Sequence, residues 1–256
     1  MTRRIRAYPV GTLPIPGWEA FFGVNDQEFH DLVFYVWIVD DGATVTLVDA
    51  GLPVGERDLA DLITACQAVD PRCLFRDVRS LADVLADAEL TPDDIDTVVL
   101  TQPITYHTGG LEANLLPRAR VVIPQAGLLE MLIDPPGHPA VDMYFTESSW
   151  AFLRRLAVEG RLIVTDGPVD VAPGVRMQTT GGHHPGSASV TISTDDGDVT
   201  LLETAFFERN VRDGIPIGIA ENAARARAAI AEATATGARV IALHDPSNAT
   251  LFPAGR

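Results

Sequence analysis

The chain has 256 residues, 46% of them apolar, with 35 acidic against 19 basic side chains and a formal charge of −16. That length and apolar content suffice for one large core, and the acidic balance argues against nucleic acid and anionic membrane as partners, since both need a positive face. Every basic residue is arginine, which excludes a lysine Schiff base or a lysine general base.

Met1-Thr2-Arg3-Arg4 leads into a proline-rich segment and not into an apolar signal stretch. No uninterrupted apolar run approaches the length of a membrane span. Cys66 and Cys73 lack metal-like histidine spacing and read as reduced thiols, so a cytoplasmic protein is expected.

The segment Ala7–Phe22, with Pro9, Pro14, Pro16, Gly11 and Gly17, reads as irregular chain draped over the body, so that residues 1–28 form no separate domain. Leu32–Val39 is a continuous apolar run. It turns at Asp40-Asp41-Gly42 into Thr44–Asp49, which predicts a hairpin of strands buried on both faces. Arg57–Val69 and Ser80–Leu90 have helical spacing, and Thr91-Pro92-Asp93-Asp94 reads as a cap and first turn.

Val98-Val99-Leu100 is a buried strand that runs into Thr101-Gln102-Pro103 and then Tyr106-His107-Thr108-Gly109-Gly110. Arg120–Pro124 predicts a strand, Gln125–Ile133 a helix, Asp134–Pro139 a loop, and Met143–Glu159 a helix at its end. Beyond Arg161 the pattern gives strands at Leu162–Val164, Val175–Thr179, Ser189–Ser193 and Val199–Leu202. A helix at Glu221–Thr236 and a last strand at Arg239–Leu243 complete the chain. Hairpins followed by helices in both halves argue for two sheets face to face with helices outside, in one domain over residues 1–256.

Histidines stand where these strands end. His107 lies in the loop after the Val98 strand, His183 and His184 lie in Gly181–Ser187 between two strands, and His244 ends the last one. His30 and His138 belong to no such constellation. Imidazoles carried to one place by a rigid frame are how zinc and iron sites are built. Trp18, Phe21, Phe22, Phe145, Trp150 and Phe206 are candidates for an apolar substrate cleft.

Several of these stretches together resemble the metallo-β-lactamase fold superfamily, and within it the N-acyl-homoserine-lactonase-like branch. They are Val10-Gly11-Thr12, Leu47–Gly51, Thr97–Leu111, Gly182–Ser187, Leu201–Asn210 and Leu243-His244-Asp245. The resemblance implies a four-layer αββα sandwich of mixed α/β class. It also implies a metal centre from which ligands have been lost, because Gln102, Ile104 and Tyr106 stand where that family has His, His and Asp.

What remains of the implied ligand set is His107, His183, Glu203 and His244. Glu203 takes the place of the bridging carboxylate, or Thr204 does if the register slips by one. The resemblance places Asp49 where the family orients a ligand histidine, with a simple turn aspartate as the other reading. Tyr106 either donates a proton in place of the missing second ion or fills its space, and Gln102 holds a water or a substrate carbonyl in that place. Phe206 lines the substrate pocket, and His184 reaches that pocket or the surface.

Three functions follow as expectations. The first is a metal-dependent hydrolase of a small ester, lactone or related acyl compound, with one zinc, iron or manganese ion. The second is a mononuclear iron or manganese oxygenase, lyase or isomerase on the same residues. The third is a metal-free pseudo-enzyme or small-molecule-binding protein. In each the partner is a small neutral or apolar molecule, and a homodimer is the expected assembly.

Overall fold

The computed structural model describes residues 3–133 and 144–255. Asp134–Pro139, His138 and the start of the Met143–Glu159 segment lie outside the described residues. Among the described residues eleven strands form two sheets. The first runs in spatial order β1 (Arg4–Pro16), β2 (Phe29–Asp40), β3 (Val45–Val48), β4 (Thr97–Val99), β5 (Arg120–Pro124) and β6 (Leu162–Thr165). Its first three strands are antiparallel, and β3 to β6 are parallel. The second sheet contains β7 (Val169–Ala172), β8 (Val175–Thr179), β9 (Ala188–Thr194), β10 (Gly197–Leu202) and β11 (Arg239–Ala242), in the order β11-β10-β9-β8-β7.

The unbroken apolar run in β2 has a direct structural cause. Val33, Tyr35, Trp37 and Val39 point between the sheets, where they meet Met177, Val190, Ile192 and Leu201. The alternate residues Leu32, Phe34, Val36 and Ile38 point the other way, onto the helical layer. A strand with both faces covered has no use for polar alternation. The helical layer on the first sheet includes α2 (Glu56–Val69), α3 (Leu81–Asp87) and α6 (Glu147–Val158). On the outer side of the second sheet, Ile230 of α8 (Ala223–Ala235) packs on Leu202 and Ala242. The layers are therefore helix, sheet, sheet, helix, as expected. Among the described residues no helix is long and apolar enough to cross a membrane.

The N-terminal segment departs from the expectation of irregular chain. Arg4–Pro16 is a thirteen-residue edge strand paired with β2 along its length. The prolines permit this because their missing N–H groups face away from β2. Thr12 N–H points outward to the Arg76 carbonyl at 2.9 Å, and Pro14 and Pro16 share its parity. Ala7 N–H points outward to Phe252, and Pro9 shares that parity up to the irregularity between Pro9 and Gly11. Edge strands tolerate proline on the unpaired side, and the bulge resets the alternation. Strand β7, which the sequence pattern did not predict, is four residues squeezed between Gly167-Pro168 and Pro173-Gly174.

Candidate metal centre and its cavity

Strands β3, β4, β8, β10 and β11 all end at one edge of the sandwich, since β3 and β4 are parallel, as are β10 and β11, while β8 and β10 are each antiparallel to β9. Chain leaving those ends carries Asp49, Gln102 and His107, His183, Glu203 and His244. Side chains far apart in sequence converge there, outside the carboxyl ends of the strands.

His107 sits in the four-residue helical turn α4 (Thr105–Thr108). It is locked by Asp49, which β3 delivers in a left-handed conformation at φ 64°. Asp49 Oδ2 accepts from His107 Nδ1 at 2.7 Å and from the Thr101 hydroxyl at 2.8 Å, and Oδ1 accepts from Thr101 N–H at 2.8 Å. The Gly109-Gly110 pair that follows lets the Asp49–Pro53 loop lie directly against it. A Cβ on Gly109 would stand 2.0 Å from Pro53 N, and one on Gly110 would stand 2.2 Å from the Ala50 carbonyl. Sequence reasoning assigned Asp49 the orienting role, which this geometry fits; it missed Thr101, the third member of the network.

His244 is aimed in the same manner. Its Nδ1 donates to the Val33 carbonyl at 3.0 Å, which leaves Nε2 with its lone pair. Burial, with His107 adding to it, depresses His244 to about 3, so the ring is neutral at pH 7. Glu203, at the end of β10, is fully buried. Burial on its own would raise its carboxyl, but His183, His107 and Ser187 outweigh this and hold it at about 2. One ligand atom from each of His107, Glu203 and His244 lies within 4.8 Å of those of the other two. Thr204 turns elsewhere, to the Thr180 hydroxyl at 2.9 Å and the Gly181 carbonyl at 3.1 Å, so it is Glu203 that faces the imidazoles.

His183, the fourth residue of the expected ligand set, stands outside that group of three. Its Nδ1 donates to Glu203 Oε1. The length of the glutamate side chain carries its carboxylate to the His183 ring, and burial keeps the imidazole below its ordinary value and neutral. Glu203 Oε2 is buried without a partner. An orphaned carboxylate oxygen beside the His107 and His244 imidazoles fits a divalent cation. Ile104 offers no lone pair and the Tyr106 phenol faces another way, so neither adds a ligand to this group.

The Tyr106 hydroxyl meets Cys66 Sγ at 3.5 Å, and its ring stacks on Phe34 with centroids 5.0 Å apart. Burial, reinforced by Cys66, raises the phenol well above its ordinary value. Tyr106 is thus a wall of the cavity, its phenol turned to Cys66 and not toward the imidazoles, which is the space-filling one of its two readings. Gln102 does enter the site: its Nε2 lies 2.6 Å from His107 Nε2, while its Oε1 is buried without a partner.

His184 bonds Glu221 at 2.7 Å and Glu130 at 3.2 Å. Burial would lower it, but the two carboxylates outweigh burial and raise it to about 9. The ligand atoms of these three residues also gather within 4.8 Å. They form a protonated imidazole held between two acids, and the proton fills the place a cation would take.

His107, His183, His184 and His244 line a cavity of about 220 Å³ whose remaining walls are largely apolar. Phe206 meets His183 and His244 edge-on, at centroid distances of 5.1 and 5.5 Å. It is the one aromatic of the six proposed for a cleft that lines this cavity. Trp18 and Phe22 are exposed, Phe21 is in the core, and Phe145 and Trp150 border a separate groove. Phe34, which sequence reasoning passed over as core, packs against His244 at 5.1 Å and lines the cavity. Cys66 and Cys73 are free and buried.

No family model and no curated protein matches the sequence. Solved structures do match. An N-acyl homoserine lactone hydrolase with the product N-hexanoyl-L-homoserine at its catalytic metal center aligns with TM-score 0.76 at 18% identity, over 98% of this chain and 97% of its own. A variant of AiiA from B. thuringiensis with N-decanoyl-L-homoserine at its active site aligns with TM-score 0.77 at 18% identity, over 98% and 97%. A hydrolase of the β-lactamase superfamily aligns with TM-score 0.69 at 17% identity, over 96% and 88%.

The chain has the metallo-β-lactamase fold. The likeness extends over nearly the whole length, so the edge that carries His107, Glu203 and His244 lies within the metallo-β-lactamase fold and not on an added domain.

Proposed function

We propose that this protein is a metal-dependent hydrolase of a small ester, lactone or related acyl compound, with one divalent cation held by His107, Glu203 and His244. The observation that carries this reading is the meeting of the His107 and His244 imidazoles and the Glu203 carboxylate at the polar end of an apolar cavity. Two histidines and a glutamate with one position left for water is a donor set of catalytic zinc sites. When bound, such an ion polarises a carbonyl and lowers the pKa of coordinated water.

The chain's own residues do the remaining work. Asp49 and the Val33 carbonyl fix which nitrogen of each histidine faces the cavity. His183 occupies one oxygen of Glu203 and leaves the other free. Phe34 and Phe206 keep water off the imidazoles and offer the apolar surface on which an acyl group packs.

The test is hydrolysis of a panel of p-nitrophenyl esters and lactones by protein loaded with zinc or manganese. Hydrolysis is expected to disappear with chelator and in Glu203→Gln, and to return on adding metal to chelated wild type. Equal hydrolysis before and after chelation would overturn the reading. Two histidines and one carboxylate are also the donor set of non-haem iron oxygenases. Oxygen uptake by iron-loaded protein, without hydrolysis, would place the chemistry there instead.

A further inference from the structure

Glu19 belongs to the short helix α1 (Gly17–Ala20), which follows the edge strand β1. It lines the imidazole cavity and also a neighbouring cavity of about 230 Å³ bordered by Cys66, Val69 and Cys73. The two spaces share Leu13, Glu19, Tyr106 and Ile219, so Glu19 stands at their junction. It is the only carboxylate on either wall among the described residues, and no arginine lines either space. Its carboxylate has no hydrogen bond or ion pair among the described residues. A half-buried acid among apolar groups is costly unless something pairs with it.

The groups around Glu19 offer no such partner. Burial, and then Asp70, push its carboxyl up to about 7. The other titratable neighbours are Cys66, Cys73 and Tyr106, which are neutral when protonated. On the wall of the imidazole cavity, His183 and His244 are neutral, and His184 is already bound by Glu130 and Glu221. A chain of charge −16 also draws cations toward its surface.

We propose that Glu19 is a specificity-determining residue that receives the ammonium group of an otherwise apolar substrate, whose body runs past Tyr106 to the imidazoles. This rests on the cavity being the substrate site, and it changes the substrate class from a neutral acyl compound to one bearing an amine.

Binding of n-octylammonium and of the neutral n-octanol to the full chain, measured by calorimetry at pH 8, tests the proposal without any turnover. The ammonium is expected to bind about tenfold tighter than the alcohol in wild type. Glu19→Gln should abolish that preference and leave the alcohol's affinity within about twofold. Should Glu19→Gln fail to fold, Glu19→Ala serves the same comparison. Equal affinities in wild type, a preference that survives in the variant, or no binding of either probe would each overturn the proposal. Ester hydrolysis without an ammonium preference sinks this proposal alone, and the preference without hydrolysis sinks the hydrolase reading alone.

Discussion

Gln102 Nε2 lies 2.6 Å from His107 Nε2, on the opposite side of the ring from the Asp49 carboxylate that holds Nδ1. Because His107 Nδ1 donates to the Asp49 carboxylate, Nε2 carries the lone pair, and the Gln102 amide donates to it. The amide and a cation therefore compete for one pair of electrons. A hydrogen bond of net worth about 1 kcal/mol has to be released before His107 can ligate.

Gln102→Ala removes that competitor. Zinc affinity, measured against a chromophoric chelator, is expected to rise by up to about tenfold. A fall in affinity would show that the amide assists the ion and does not compete with it.

Asp49 has the opposite role. It is buried and accepts three hydrogen bonds from His107 and Thr101. In Asp49→Asn the charge is lost and one oxygen becomes an amide donor that cannot accept from His107 and Thr101 together. Urea unfolding is expected to show a loss of about 2–4 kcal/mol. Zinc affinity should fall by roughly 10- to 100-fold, because the ring is no longer held in its tautomer. A variant with wild-type affinity would remove Asp49 from the account.

The pH dependence of Glu19 has a definite sign. Its folded-state carboxyl is raised to about 7 from an ordinary 4.5, so ionising it disfavours the folded state. That penalty is absent below pH 4.5, grows between 4.5 and 7, and is complete above 7. Glu19→Gln removes it. The variant's melting temperature is expected to exceed wild type by roughly 2–6 °C at pH 8 and to match it near pH 4.5. A constant offset across that range would mean that Glu19 is stable as a carboxylate where it stands.

Some of this was legible in the residues and some was not, for physical reasons. The strand before His107, the acid ending β3 and the histidines ending other strands are local patterns, and they survive into the fold because buried strands dictate where their ends fall. The edge strand β1 was hidden because proline signals a break unless one knows which side of the strand is unpaired, and that depends on β2, Arg76 and Phe252. The pairing of His183 with Glu203 in place of a fourth ligand depends on how far one side chain reaches in three dimensions. Tyr106 was assigned by its position in a motif, yet its direction is set by Phe34 and Cys66, which no local pattern links to it. Glu19 carries no periodicity at all. Its environment comes from Leu13, Cys66 and Ile219, brought together only by the fold.

The most direct test of the central claim is elemental analysis of the purified chain and four single variants after loading with zinc and gel filtration. One equivalent of metal is expected in wild type and in His183→Gln, and none in His107→Ala, Glu203→Ala or His244→Ala. Metal retained at one equivalent in those last three folded variants, or absent from loaded wild type, would contradict a single cation held by His107, Glu203 and His244.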